Sequence, residues 1–261
     1  MWNTLIIDPF TNLLLWIYSV LANIPGAFGW AIILFTIAIR AITWPLNAQQ
    51  LKGAQAMQEL QNDKDWQAIQ KKYAKDKEKL AQEQMRVYKE KGINPFSSCL
   101  PTLIQFPIII GLYQSIIRAL ASAPLGLLSL ARSVYPTLSV AALIPLNSHF
   151  LWMDLGQPES ISFFGLFNLP TLAIIVAITT YIQSKLTMPA TANPGDQSAA
   201  MGKTMSIYMP LLLGYFALTF ASGLSVYFIP SNLLGIFQYA VTGRANWRNL
   251  LPGGDKQTSN K

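Results

Sequence analysis

Residues 28–46 read FGWAIILFTIAIRAITWPL. The run is apolar almost throughout and long enough to cross a bilayer. It also carries an arginine, Arg40. Counted from Gly29 at about 1.5 Å per residue, Arg40 falls roughly 16 Å in, near the middle of a hydrocarbon core about 30 Å thick. A charge there costs about 2.5–3.5 kcal/mol on insertion scales, so it must face protein, water or a partner rather than lipid. Thr36, Arg40, Thr43 and Asn47 recur at helical spacing and share one narrow face. The other faces are Ile, Leu, Ala, Phe and Trp. Pro45 lacks an N–H and frees the Ala41 carbonyl beside the arginine.

Composition fixes the class. Of 261 residues 52% are hydrophobic and 12% charged, with a mean hydropathy of +0.33. The charged share is about half the ~25% of ordinary soluble domains. Several uncharged runs are long enough to span, so the chain reads as a polytopic membrane protein. The one cysteine, Cys99, excludes an intrachain disulfide and a cysteine metal cluster, and the one histidine, His149, argues against histidine catalysis or a histidine metal site. His149 reads as a surface residue. No phosphate-loop, dinucleotide or nucleophile-elbow pattern occurs. We therefore expect no enzyme, no cofactor and no metal. The first residues lack the basic region of a signal peptide, and no nearby cysteine offers a lipoprotein anchor.

Asp8-Pro9 reads as a helix start, with Asp as N-cap and Pro at N1. The helix ends before Pro25-Gly26. At about 15 residues it is short for a span. Asp8, Asn12, Ser19 and Asn23 form a polar edge opposite Phe10, Leu13, Leu14, Ile17 and Leu21. Residues 1–27 are therefore expected to hold an interfacial amphipathic helix. A short tilted span is the competing reading. Residues 28–50 give the first transmembrane helix.

Residues 51–96 are different in kind. Ten Lys/Arg and seven Asp/Glu lie there. Trp66, Ile69 and Tyr73 mark one helical stripe, and Leu80, Gln84, Val87 and Tyr88 another. Two antiparallel helices in water fit, ended by Gly92 and Asn94-Pro95. The thin stripes suggest loose docking.

Residues 97–243 hold four more spans: Leu100–Leu120, Leu166–Leu186, Thr204–Ala221 and Leu224–Thr242. Ser222-Gly223 is expected to turn tightly between the last two. The 122–161 loop, broken by Pro124, Pro136, Pro145 and Pro158, is expected to hug the membrane surface. Residues 188–202 read as a loop, and 244–261 as a disordered basic tail. Lys/Arg placement orients the chain. Ten lie in the hairpin, two around the 188–203 loop and four in the tail, against Arg118 and Arg132 on the other side. The hairpin and C-terminus are expected in the cytoplasm and the N-terminus outside. The fold class is all-α, five transmembrane helices around a hydrophilic groove.

None of the five spans contains Asp, Glu or His. The company the sequence offers Arg40 is hydroxyl and amide: Thr36, Thr43, Gln183, Ser231 and Gln238, with Tyr227 on the Ser231 face and Asn232 beside it. One polar face per helix suggests a water-filled cavity, and a cation there draws anionic groups. An arginine satisfied structurally by carbonyls and amides is the plainer alternative. An odd span count without a visible repeat or a membrane acid argues against an ion-coupled transporter, although an anion-binding channel or transporter stays open. A receptor for acidic, hydrophilic polypeptide tails fits best.

GWAIILFTIAIRAITWPL, the charged hairpin, NPFSSCLPTLIQFPIIIGLY, FLWMDL, YIQSKLT and FASGLSVYFIPSNLLGIFQ occur in that order over about residues 8–238. Together they resemble the YidC family of membrane-protein insertases, whose relatives serve mitochondrial and chloroplast membranes. The resemblance implies a five-helix core in a bacterial-type cytoplasmic membrane, with a groove open to cytoplasm and lipid. It places Arg40 at the family's groove arginine, Thr36 and Gln183 at polar groove positions, and Tyr227 at the first of two aromatic substrate contacts. The second, commonly Tyr, is Phe228 here. It implies nascent membrane proteins and lipid as partners, a ribosome and Sec-type translocon as associates, and no direct nucleic-acid role beyond ribosome contact.

Overall fold

The computed structural model describes residues 1–61, 63–73, 76–93, 100–121, 123–136, 138, 146–159, 161–163, 167–187 and 197–242. Asn94-Pro95, Cys99, the 188–196 stretch and the tail from Gly243 lie outside the described residues. The chain is mostly helical. It divides into two compact units, one of Met1–Ile42, Ile104–Thr180 and Pro210–Leu234, the other of Thr43–Leu103, Tyr181–Met209 and Gly235 onward.

The first unit begins with a π-turn, Asn3–Ile7, that runs directly into α1, Asp8–Leu21. Asp8 does not cap a helix start as expected; its own N–H donates to the Asn3 carbonyl. Pro9 cannot donate into the preceding turn, and bonding at wider spacing lets the helix pass through it. The helical stretch Asn3–Leu21 is 19 residues long with a mean hydropathy of 1.5, sufficient to cross a membrane. The expected polar edge turns inward at Asn12. This side chain is 4% exposed; it donates to the carbonyls of Asp8 and Ser133 and accepts from the Tyr135 N–H. Asp8 pairs with Arg118 at 2.7 Å.

Helix α2 runs from Ala27 to Gln61 without a break, through the expected boundary at residue 50. At about 1.5 Å per residue it is some 50 Å long, more than a hydrocarbon core needs. Residues 46–61 are mostly Leu, Ala, Gln, Met and Glu, good helix formers, so nothing stops it. After α3 and α4 in the second unit come α5, Leu100–Ala119, and α6, Pro124–Ser133, with a 119° bend between Gln105–Ala119 and α6. Two antiparallel hairpins follow, β1 (His149–Phe150) with β2 (Met153–Asp154), and β3 (Ile161–Phe163) with β4 (Phe167–Leu169). They add short strands to an architecture expected to be all-α.

The third expected span starts late, as α7, Thr171–Thr187. Leu169 precedes Pro170, which disfavours helical backbone at that residue, and Phe167–Leu169 pair as a strand instead. Glu159 accepts from the Leu172 N–H and the Thr171 hydroxyl at the start of α7, where a carboxylate complements the helix dipole. Helix α8 is Gln197–Thr219 and α9 is Ser222–Val241. Ser222-Gly223 form the first turn of α9 rather than a turn before it. A Cβ on Gly223 would sit 3.0 Å from Ile116 and 3.1 Å from the Leu155 carbonyl, so close packing accounts for the glycine.

Among the described residues three helical stretches are long and apolar enough to cross a membrane: Asn3–Leu21, Ala27–Gln49 and α9. The bent α5–α6 pair would make a fourth, and Thr171–Leu186 and Ser206–Thr219 are shorter apolar helices. Length and composition alone thus give a different set from the five expected spans. The core of the first unit is built on Leu14, Leu15, Phe28, Phe35, Leu112, Ile116 and Val176, all fully buried. Between helices in lipid such cores are held by close packing and polar links more than by removal from water.

The second unit holds α3 (Lys64–Lys72) and α4 (Lys77–Glu90). Asp63 and Asp76 cap them, accepting from Asp65 N–H and Lys79 N–H. Gly92, at φ +64°, closes α4. Leu60, Trp66, Val87 and Tyr88 are buried together, with Ile69, Leu80 and Ile93 against them. The Lys91 ammonium bonds Asp63 and, with the Asp65 and Trp66 N–H groups, holds its carboxyl below the usual value of 3.8.

Candidate functional site

Arg40 lies in the middle of the Ala27–Gln49 stretch, half-buried. Its Nε and Nη2 both donate to the Ser231 hydroxyl, at 2.9 and 2.6 Å. Ser231 sits on α9, one residue past Pro230, and is 2% exposed. The Tyr227 hydroxyl, one turn earlier on α9, lies beside Ser231 and accepts from the Gln105 amide of α5. Tyr227 is 1% exposed. Three helices thus meet through one polar chain: guanidinium, serine, phenol, carboxamide. The Ser231 hydroxyl is a neutral acceptor, so this bond solvates the guanidinium without cancelling its charge.

Asn232 is the next residue on α9. Its amide donates to the Thr179 and Thr180 hydroxyls of α7, at 3.0 and 2.9 Å. This second link clamps α7 to α9. Thr36 shares the Arg40 face but is fully buried, and its hydroxyl donates to the Ile32 carbonyl of its own helix at 2.7 Å. Its hydroxyl is therefore engaged within α2 rather than with Arg40. The structure therefore brings Arg40, Tyr227 and Ser231 together and sets Asn232 in an adjoining clamp.

Thr43, Gln183 and Gln238 belong to the second unit. Gln183 lies against Gly235, where a Cβ would stand 2.5 Å from its Nε2. Gln238 is buried and its amide reaches the Trp44 carbonyl at 3.4 Å, while Thr43 is half-buried. The residue that sequence reasoning left out of the site is Gln105. A lone amide in an apolar helix has no periodic partner to mark it; its proximity to Tyr227 appears only in three dimensions. Among the described residues no three His, Cys, Asp or Glu gather as a metal site.

A sequence profile of the family described as 60Kd inner membrane protein matches residues 20–248. The chain is 32% identical to the membrane protein insertase YidC of Oceanobacillus iheyensis, over 91% of this chain and 81% of that one. It is 34% identical to membrane protein insertase YidC 1 of Halalkalibacterium halodurans, over 93% and 79%. The chloroplast inner membrane protein ALBINO3 of Arabidopsis thaliana is 34% identical over 83% of this chain and 46% of its own length. Among solved structures, one titled as an active YidC insertase with the first transmembrane domain resolved aligns at TM-score 0.55 and 29% identity, covering 90% of this chain and 46% of that one. The two bacterial relatives and the solved structure are named for insertion, not for a covalent reaction.

Proposed function

The chain belongs to the 60Kd inner membrane protein family, that of the YidC insertases, and from that premise we propose that it inserts small membrane proteins into the bilayer through a cationic polar groove centred on Arg40. It is a multi-pass protein of a bacterial cytoplasmic membrane. The observation that supports the reading is a guanidinium in the middle of a span-length apolar stretch, bonded to Ser231 with Tyr227 and Gln105 beyond it. A client's short acidic or polar segment enters and is held transiently by Arg40. The polar chain shortens the apolar distance that segment must cross. The client's apolar segment then leaves for lipid, where burial at about 25 cal/mol per Å2 drives the step. The membrane potential assists negative charge toward the outer side.

In this reading five spans cross the membrane, with the N-terminus outside and the C-terminus in the cytoplasm. Nascent membrane proteins and lipid are its partners, and it works alone or beside a ribosome or Sec-type translocon. Reconstitution into liposomes tests the function. Insertion of a single-span client without added nucleotide supports it. Saturable anion flux without insertion would replace it with a solute channel.

A further inference from the structure

The β1–β2 hairpin has a two-residue tip, Leu151-Trp152, set by the pairing of Phe150 with Met153. Such turns favour Gly, Asn or Asp where φ is positive. Here Leu151 takes φ +54°, a conformation unfavourable for a bulky side chain. Both tip residues are exposed, Leu151 at 72% and Trp152 at 54%, while Phe150 and Met153 beside them are buried. The hairpin therefore presents apolar groups on both sides, one inward and one outward.

Two clamps fix where the tip stands. The Phe150 ring lies on Gly29, where even a Cβ would come within 2.2 Å of it, and meets Trp30 edge to face at 5.8 Å. The hairpin is thereby seated on the first turn of α2. The Trp152 Nε1 donates to Glu159 at 3.1 Å, and Glu159 caps the first turn of α7. That bond satisfies the indole's one donor internally, so the exposed remainder of Trp152 is hydrocarbon. The same first turns expose Trp30, Ile174 and Ile175. Through Phe150 and Glu159 the tip thus adjoins the first turns of two apolar helices, and aromatic belts sit at the level where spans begin.

We propose that Leu151-Trp152 is a lipid-seated wedge, inserted at the headgroup–acyl boundary of the leaflet where α2 starts and tying α2 and α7 to that leaflet. The occupant is bilayer lipid. A water-exposed tip would gain nothing from Leu at a left-handed turn.

The test uses the full chain with Cys99→Ser and a single new cysteine, Leu151→Cys or Trp152→Cys, labelled with bimane in phosphatidylcholine–phosphatidylglycerol vesicles. Ile175→Cys and Gln157→Cys serve as lipid and water references. Shallowly brominated lipid should quench both tip probes about as strongly as the Ile175 probe, with little quenching by aqueous iodide. Quenching by iodide at the level of the Gln157 probe would overturn the proposal. So would shielding from both quenchers, which would mean that protein covers the tip. Two independent reporter positions keep the result readable if one variant fails to fold.

Discussion

The Arg40 cluster and the α3–α4 hairpin are both small assemblies of helices, yet they are held by opposite means. In the first, apolar packing is ubiquitous and a few polar contacts set which helices meet: Arg40 to Ser231, Tyr227 to Gln105, Asn232 to Thr179 and Thr180. In the second, polar groups are everywhere and a few apolar ones, Leu60, Trp66, Val87 and Tyr88, decide the packing. In lipid the scarce polar group confers specificity; in water the scarce apolar group does.

The contrast can be broken most visibly at Arg40. Hydrogen bonds to a charged group are worth roughly 1.5–3 kcal/mol. Arg40→Ala is therefore expected to slow insertion of acidic-tailed clients about ten- to a hundredfold, while Arg40→Lys keeps much of it, measured by protease protection in liposomes. Equal rates for all three proteins would make Arg40 structural.

Next in size is Trp66. Its truncation to Ala should destabilise the hairpin by about 3 kcal/mol, read as faster amide exchange across α3 and α4. Its buried Nε1 has no hydrogen-bond partner, so Trp66→Phe should be tolerated far better. If Ala and Phe behave alike, the buried ring is not what holds this unit.

How much of this was legible beforehand differs between the two regions for a physical reason. The α3 and α4 stripes and the Arg40 face follow from periodicity, which survives in the sequence. The start of α1 did not, because Asp8-Pro9 has the form of a cap while wider bonding carries the helix through it. The late start of α7 did not, because Phe167–Leu169 is apolar enough for helix or strand and Pro170 decides. Thr36 shares the Arg40 face by periodicity, yet its hydroxyl closes on its own helix. Glu159 caps α7 from twelve residues upstream, beyond any local signature.

A smaller effect is expected at the α7–α9 clamp. Interhelical hydrogen bonds in membranes average about 0.6 kcal/mol each, so Asn232→Leu should lose about 1 kcal/mol, seen as a modest drop in melting temperature in detergent. No change would mean that packing alone joins these helices.

The smallest effect concerns pH. The Asp63 carboxyl is held below 3.8 by Lys91 and by the Asp65 and Trp66 N–H groups. Its contribution is fully present above the unfolded value and is lost as pH falls through the lower folded value. Protease resistance of the hairpin should be flat from neutral pH down to about 5 and weaken only below 3.8. Asp63→Asn should remove that acid-side step; a step near neutrality would point to another group.

The most direct measurement places a photocrosslinking residue at position 227 or 231 and irradiates with a stalled nascent membrane protein bound. The account predicts a crosslink to the client's polar segment from both positions, weakened when Arg40→Ala is added. Crosslinks only from lipid-facing positions such as 233, with none from 227 or 231, would contradict it.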